Sequence, residues 1–330
     1  FIYPSHCNGG GSMDEQNQKQ QKKPSRLSGF LVRLIATLVV LAVGLSLVVL
    51  VAFRDRLNLD SAKRWFHYLS LTRSDSGQAE AFRYDGDLSC TFAALDGDLL
   101  VCSEHAISLY SGSGTRYINQ QVSMENPVVN SNGSLAVVYD AGGSSLYILG
   151  QRSLVWTAEG LEGILSARLN KNGQLTVVTQ AAGYRGKVTV YNAAYDPVMS
   201  VNLTSAFVMD AALSDDGRTL ATITVGQDSG AFATGLELYA MNYASGGYQA
   251  DVSCSLGGGV ALDVKHTSSA VWTLSDRGLT VTGHDGETVR ADWSDKYLRR
   301  YTLDGDGFAA ALLGKYRAGS QAELWVVDAG

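Results

Sequence analysis

One phrase recurs through the chain and constrains its fold more than any other feature: an apolar strand-like run, Asn or Ser, one residue, Asn/Asp-Gly, one residue, Leu, then Val and Thr. It stands at Val128-Val129-Asn130-Ser131-Asn132-Gly133-Ser134-Leu135, at Arg168-Leu169-Asn170-Lys171-Asn172-Gly173-Gln174-Leu175, and at Ala212-Leu213-Ser214-Asp215-Asp216-Gly217-Arg218-Thr219-Leu220. Asn-Gly and Asp-Gly tolerate the positive φ that a tight turn demands, so each copy marks a hairpin. Each is followed by a further strand-like run ending in an aromatic, Ser153-Leu154-Val155-Trp156, Val188-Thr189-Val190-Tyr191 and Leu236-Glu237-Leu238-Tyr239. The marker glycines Gly133, Gly173 and Gly217 lie about 40 residues apart, the period of a four-stranded propeller blade. Weaker copies surround Asp96-Gly97, Ser268-Ser269 and Gly305–Gly307.

These observations predict an all-β chain over residues 82–330, a β-propeller of about six to seven four-stranded blades. The last blade is short of its closing strands. Either a strand near Phe82–Ser89 closes the ring or the chain is part of a longer one. An immunoglobulin-type sandwich would not explain the recurring phrase. Composition agrees: 36 Gly against only 4 Pro suits many tight turns, and 45% apolar residues exceeds what a disordered chain carries. Trp156, Trp272, Trp293 and Trp325 fall on or near predicted strands and are expected to wedge adjacent sheets.

The amino-terminal region is different. Residues 1–12 precede Met13 and read as a foreign or upstream segment; residues 13–33 are a polar tail expected to be disordered and cytoplasmic. Residues 34–53 contain no charge. Twenty residues at the helical rise span roughly 30 Å, enough to cross a bilayer. Such a length favours an uncleaved anchor over a signal peptide. Residues 54–81 read as a juxtamembrane helix and a polar stalk. Arg33, Arg54, Lys63, Arg64 and Trp65 are the expected membrane-interface anchors. The cations before and after the span tie, but a short tail with five of them resists translocation, whereas long domains cross largely regardless of charge. The expectation is a single-pass type II protein with its propeller outside the cell membrane. Residues 1–53 carry five cations and two acids, for +3; the total of −6 leaves −9 on residues 54–330.

The tail, the anchor, Lys63-Arg64-Trp65-Phe66 and the Asn/Asp-Gly turns together resemble a bacterial family of uncharacterised, membrane-anchored propeller proteins, over most of residues 13–330. More loosely the layout is similar to WD40-like and quinoprotein-type propellers; no Trp-Asp dipeptide recurs, so that likeness is architectural. The resemblance implies a fold and an address but no activity.

Few residues offer chemistry. Cys90 and Cys102 flank the Asp96-Gly97 turn, and an exported domain would permit a disulfide between them; the alternative is that they and Cys254 are small buried hydrophobes. No histidine sits at metal-ligand spacing. Asp85-Gly86-Asp87, Asp96-Gly97-Asp98 and Asp304-Gly305-Asp306-Gly307 are better read as hairpin turns than as calcium loops, since Lys315 stands where an EF-hand needs its Glu. Gly183-Tyr184-Arg185-Gly186-Lys187-Val188 is too short for a phosphate loop, and no G-x-S-x-G elbow occurs. No catalytic, metal or cofactor site is therefore assigned. The negative charge gives no support to nucleic-acid binding. The expected role is a binding or scaffolding module at the cell envelope for a protein, peptide or glycan, with the lipid bilayer as its other contact. An enzyme, or a quinone-cofactor protein with its site at the channel mouth, is the alternative.

Overall fold

The computed structural model of the 330-residue chain describes residues 81–84, 90–241, 249–305 and 307–328, together with Thr37 and Leu41. The chain separates into two units, Phe1–Arg73 and Ser74–Gly330. In the first, Thr37 and Leu41 are helical and exposed. The rest of the expected 34–53 span and the anchors Arg33, Arg54, Lys63, Arg64 and Trp65 lie outside the described residues. Among the described residues no helix is long and apolar enough to cross a membrane.

The described part of the second unit is built of antiparallel sheets in which each strand pairs with its sequence neighbour. The first sheet holds β1 (Thr91–Leu95), β2 (Asp98–Cys102), β3 (Ala106–Tyr110) and β4 (Arg116–Gln121). The second holds β5 (Pro127–Ser131), β6 (Leu135–Asp140), β7 (Leu146–Gly150) and β8 (Ser153–Ala158). The third holds β9 (Ile164–Leu169), β10 (Leu175–Thr179), β11 (Gly186–Tyr191) and β12 (Pro197–Leu203). The fourth holds β13 (Phe207–Leu213), β14 (Thr219–Asp228), β15 (Ala231–Ala240) and β16 (Val252–Gly258). The fifth holds β17 (Ala261–His266), β18 (Ala270–Ser275), β19 (Gly278–Gly283) and β20 (Thr288–Asp292). The sixth has three strands, β21 (Tyr297–Thr302), β22 (Phe308–Gly314) and β23 (Ala322–Asp328).

The core lies between sheets rather than inside one. Five apolar clusters fill the five successive seams, for example Leu100, Ile107, Val138 and Leu149 between the first two sheets, and Ile223, Leu236, Val264 and Val271 between the fourth and fifth. Adjacent residues of one strand serve opposite seams: Val138 faces the first sheet and Val137 the third. This is why the central strands read as unbroken apolar runs such as Leu-Ala-Val-Val-Tyr instead of an alternation. Sheets stacked through both faces, with first strands turned to a common centre, are blades of a propeller. The tryptophans do wedge the seams. Trp272, Trp293 and Trp325 share the fifth seam, and Trp156 stacks on Tyr195 at 5.1 Å in the second.

The sixth sheet is bounded differently. On β23, Trp325 and Val327 pack into the fifth seam, while Leu324 and Val326 point the other way and are exposed. The segment expected to close the ring does not extend this sheet where it is described. Residues 81–84 are not strand; Phe82 rests on Tyr110 and Tyr84 on Phe92, both in the first sheet, and residues 85–89 lie outside the described residues. The described part of this segment thus contacts the first sheet through its aromatic rings.

The repeated turns are hairpins, with one refinement. Asp96 and Gly97 both have positive φ, 53° and 82°, as a two-residue primed turn requires. At the strong copies the turn is longer, and within it only the glycine has positive φ. There the residue that opens the turn holds it. Asn132 Oδ1 accepts from Ser134 N and Leu135 N, Asn170 Oδ1 from Asn172 N and Gln174 N, and Ser214 Oγ from Arg218 N and Thr219 N. Short polar side chains favour such local backbone mimicry, which accounts for the Asn/Ser of the second and third copies; in the first the Asn of Asn-Gly holds the turn, and Asn130 donates Nδ2 to Ala167 O at 2.8 Å.

Candidate functional site

The first strands β1, β5, β9, β13, β17 and β21, with the turns that follow them, line a cavity of about 1020 Å³. Polar side chains at its turn end stitch the sheets to one another. Ser131 Oγ donates to Ala94 O (2.9 Å), Asn132 Nδ2 to Asn170 O (2.7 Å) and Asn170 Nδ2 to Ser214 O (2.9 Å). His266 Nδ1 donates to Ala212 O (3.1 Å) and Lys265 Nζ to Gly305 O (3.4 Å). Every one of the five seams is crossed by this belt. The amide of Asn132 or Asn170 therefore does two jobs: its oxygen closes its own turn, and its nitrogen ties the next sheet.

Deeper in the cavity a charge cluster joins residues of four sheets. The Arg168 guanidinium on β9 donates from Nε to both carboxylate oxygens of Asp210 on β13 (3.0 and 2.8 Å) and from Nη2 to Asp210 Oδ2 (2.5 Å). Its Nη2 also donates to Asp263 on β17. Ser166 Oγ donates to Asp210, and Tyr301 on β21 hydrogen-bonds Asp263. A β-bulge makes this arrangement possible. β9, β13 and β17 each carry one extra residue near the start, respectively Leu165, Met209 and Leu262, which have no partner in the register. A bulge re-aims the residue beside it. The residues so re-aimed are Ser166, Asp210 and Asp263, and each carboxylate accepts the N–H of its successor at 2.8 Å. β21 has the same irregularity at Arg299.

Electrostatics in the cluster follow from burial and pairing. The two carboxylates hold Arg168 firmly charged, well above its ordinary value, against the burial that opposes it. Burial outweighs the guanidinium for Asp263, whose carboxyl is raised above the usual range. Tyr301 is pushed up to about 12, first by burial and then by Asp263, and Tyr139 is raised by burial and by Asp210. Both phenols are neutral near pH 7. The cluster is a satisfied ion-pair network whose carboxylates already have donors.

The opposite end, where the first strands begin, has another character. The bulge residues Leu165, Met209 and Leu262 are exposed there, as are Phe207 and Tyr297 at the starts of β13 and β21. Tyr184 and Tyr316, on connections at this end, and Phe232, on the long β14–β15 hairpin, are exposed as well. Arg185 lies over the Phe207 ring at 4.6 Å and Lys315 over Tyr316 at 5.7 Å. Bare apolar groups on this scale mark interaction surfaces.

The residues singled out from sequence fall elsewhere. Cys90, Cys102 and Cys254 are thiols, not a disulfide. The Asp96-Gly97 turn has two residues, so the ladder pairs Cys102 with Thr91, and Cys90 stands one residue beyond that pair. One step along a strand turns a side chain to the other face. Burial pushes the Cys102 thiol up to about 12. Of the acidic phrases, Asp98 is buried and paired with Arg152 at 2.8 Å, Asp304 lies on the cavity rim, and Asp85–Asp87 and Asp306 lie outside the described residues. Among the described residues no three His, Cys, Asp or Glu side chains gather for a metal. Sequence reading missed Arg168, Asp210 and Asp263. A faint signal existed: Ser166, Asp210 and Asp263 each stand four residues before the residue that opens the following turn, Asn170, Ser214 or Thr267.

A family model described as a family of unknown function (DUF5711) matches residues 75–279. No curated protein matches the sequence. Among solved structures, the chain is similar to the β-propeller domain of Myceliophteria thermophila Cps50 (Swd1), at 9% identity and a TM-score of 0.54, covering 76% of this chain and 85% of that one. It also matches the Neurospora crassa Pan2 WD40 domain (8% identity, 67% and 70% covered, TM-score 0.46) and Kuenenia stuttgartiensis hydrazine synthase (12%, 72% and 79%, 0.46). At such identities the likeness to the first speaks to fold alone, and the fold is a β-propeller.

Proposed function

The chain belongs to the family of unknown function DUF5711, and from that premise we propose that its propeller is a docking module for a protein partner, engaged at the end where the first strands begin. The observation that carries this reading is the exposed set Leu165, Tyr184, Phe207, Met209, Phe232, Leu262, Tyr297 and Tyr316 on four neighbouring sheets at one end. Aromatic, Met and Arg side chains are the ones that interface cores enrich. The network inside supports the same reading, because Arg168, Asp210 and Asp263 spend their donors and acceptors on one another.

The proposal includes tethering: residues 34–53 anchor the chain in a cell membrane, with the tail cytoplasmic and the propeller outside. It is supported by the charge-free run, the five cations of the short tail, and the division of charge into +3 and −9. The role is then recognition or scaffolding at the envelope.

Photo-crosslinking in cells tests the docking face. A benzophenone amino acid at Met209 or Phe232 of the full chain should capture a discrete partner, whereas the same group at Val289, exposed on the outer strand β20, should not. Equal capture at all three positions, or none at Met209 and Phe232, sinks the reading. Protease added to intact cells tests the topology: the propeller should be cut and the tail protected, and the reverse pattern excludes it.

A further inference from the structure

Two imidazoles meet in the seam between the fourth and fifth sheets, and neither the docking face nor the charge cluster uses them. His266, the last residue of β17, is buried; His284, one residue past β19, is exposed. The register explains why they meet. His266 pairs with Val271, and Val271 with Thr282, so these three side chains share one face of the sheet; His284 is two residues past Thr282 on that face. β17 and β19 run in the same direction and end together, which brings the rings to the same rim. Their Nε2 atoms lie 3.3 Å apart, with ring planes at 88°.

The tautomer is set by the backbone. Ala212 O can only accept, so His266 Nδ1 must carry the proton it donates at 3.1 Å. That leaves His266 Nε2 with a bare lone pair aimed at His284. A backbone carbonyl on the far nitrogen is the usual way a metal-bound imidazole is oriented. Ligands about 2.0–2.1 Å from a tetrahedral ion lie about 3.3–3.4 Å from each other, the separation found here. The surroundings are acidic. The carboxylates of Asp215 and Asp216, on the turn of the fourth sheet, act electrostatically on His266, and Asp216 and His284 act on one another. Facing them are Lys171, 3.4 Å from Asp215, and Arg218, 3.8 Å from Asp216, both on exposed stems.

We propose that His266 Nε2 and His284 Nε2 bind a divalent transition cation of the imidazole-preferring class, Zn²⁺ foremost, at the turn-end rim of the fourth and fifth sheets. Water fills the remaining positions, since no third His, Cys, Asp or Glu among the described residues completes the set. The open positions face the exposed side of His284, where a donor from another molecule can enter. The ion would clamp the 284–287 turn to β17 and, through Ala212, to the neighbouring sheet.

The test uses the full chain in detergent, stripped with a chelator and titrated with Zn²⁺ by calorimetry. One equivalent should bind and raise the melting temperature, as any ligand of the folded state does. His284→Asn, a change at an exposed turn position, should weaken binding at least about tenfold, while His105→Asn and the double change H6N/H67N, ahead of the propeller, should leave it unchanged. With Cu²⁺ as the probe, the electron paramagnetic spectrum should show two coupled nitrogens, reduced to one in His284→Asn. Absence of stoichiometric binding overturns the site in favour of a plain imidazole–imidazole hydrogen bond. Binding that survives His284→Asn but disappears in H6N/H67N overturns it equally.

Discussion

Arg168→Met is the most informative single change. It keeps an apolar stem of similar reach but leaves Asp210 and Asp263 in the cavity without their cation. Breaking a buried pair by removing one partner costs about 3–5 kcal/mol. The lower end applies here for two reasons. The Arg168 side chain is 26% accessible, so water reaches the vacated site. Each carboxylate also retains donors: Ser166 Oγ and Ala211 N for Asp210, Val264 N and Tyr301 for Asp263. A loss of about 3 kcal/mol in a domain of this size lowers the melting temperature by roughly 6–12 °C. The assay is thermal unfolding followed by tryptophan fluorescence, because Trp272 and Trp293 report the adjacent seam. The pH dependence has a definite sign. A carboxyl whose folded value is raised, as for Asp263, favours the folded state at acid pH, and this contribution is lost as pH rises from the ordinary carboxylate value through the raised one. Arg168→Met widens that window, so its deficit should shrink as pH falls from neutral towards the carboxylate range. Adding Asp210→Asn and Asp263→Asn removes the stranded charges and should recover more than half of the loss. Arg168→Lys, with one point charge instead of a fork, should fall between wild type and Arg168→Met. A melting temperature for Arg168→Met within about 4 °C of wild type at pH 7, where the loss would be near 1 kcal/mol, would refute the reasoning.

Other expectations are as direct. Asn170→Ala removes a turn closure and the bond to Ser214 O together, and should cost about 1–3 kcal/mol in denaturant unfolding, whereas Ser268→Ala on the corresponding turn of the fifth sheet should stay within about 0.5 kcal/mol. Trp293→Ala empties the middle of the fifth seam, where the indole is wholly buried, and should cost about 3–5 kcal/mol by the same measurement. Cys102, buried and pushed up to about 12, should resist iodoacetamide until the protein is unfolded; labelling at the native rate of a free thiol, or a non-reducing digest linking the Cys90 and Cys102 peptides, would contradict the register. Met209→Ser with Phe232→Ser, at exposed positions, should leave stability within about 1 kcal/mol of wild type while abolishing capture of the partner by a benzophenone amino acid placed at exposed Leu262.

The shared phrase at Asn132, Asn170 and Ser214 makes the sheets legible in the amino-acid sequence, because a turn is a local object: its glycine and its polar opening residue act within a few positions of one another. Trp272 is legible for a related reason, since a large ring on a strand buried from both faces has nowhere to go but a seam. Arg168 is not legible. It sits in an apolar run, and its partners are 42 and 95 residues away. Nor does strand alternation place those partners, because single-residue bulges at Met209 and Leu262 break the period of two just before Asp210 and Asp263. The expected Cys90–Cys102 pairing misses by the same one-residue margin, set by the length of a turn.

Sequence alone therefore determined what repeats: short strands, their turns, the period of the sheets and the apolar run at residues 34–53. Tertiary structure decided everything that depends on which sheets become neighbours. It turned the turn-opening asparagines into a belt across the seams, converted isolated Arg168, Asp210 and Asp263 into one network, and brought His266 to within 3.3 Å of His284. The division has a single physical cause. Local hydrogen bonding and burial write the strands and turns in consecutive residues, whereas ring geometry joins positions tens of residues apart through contacts that leave no period in the chain.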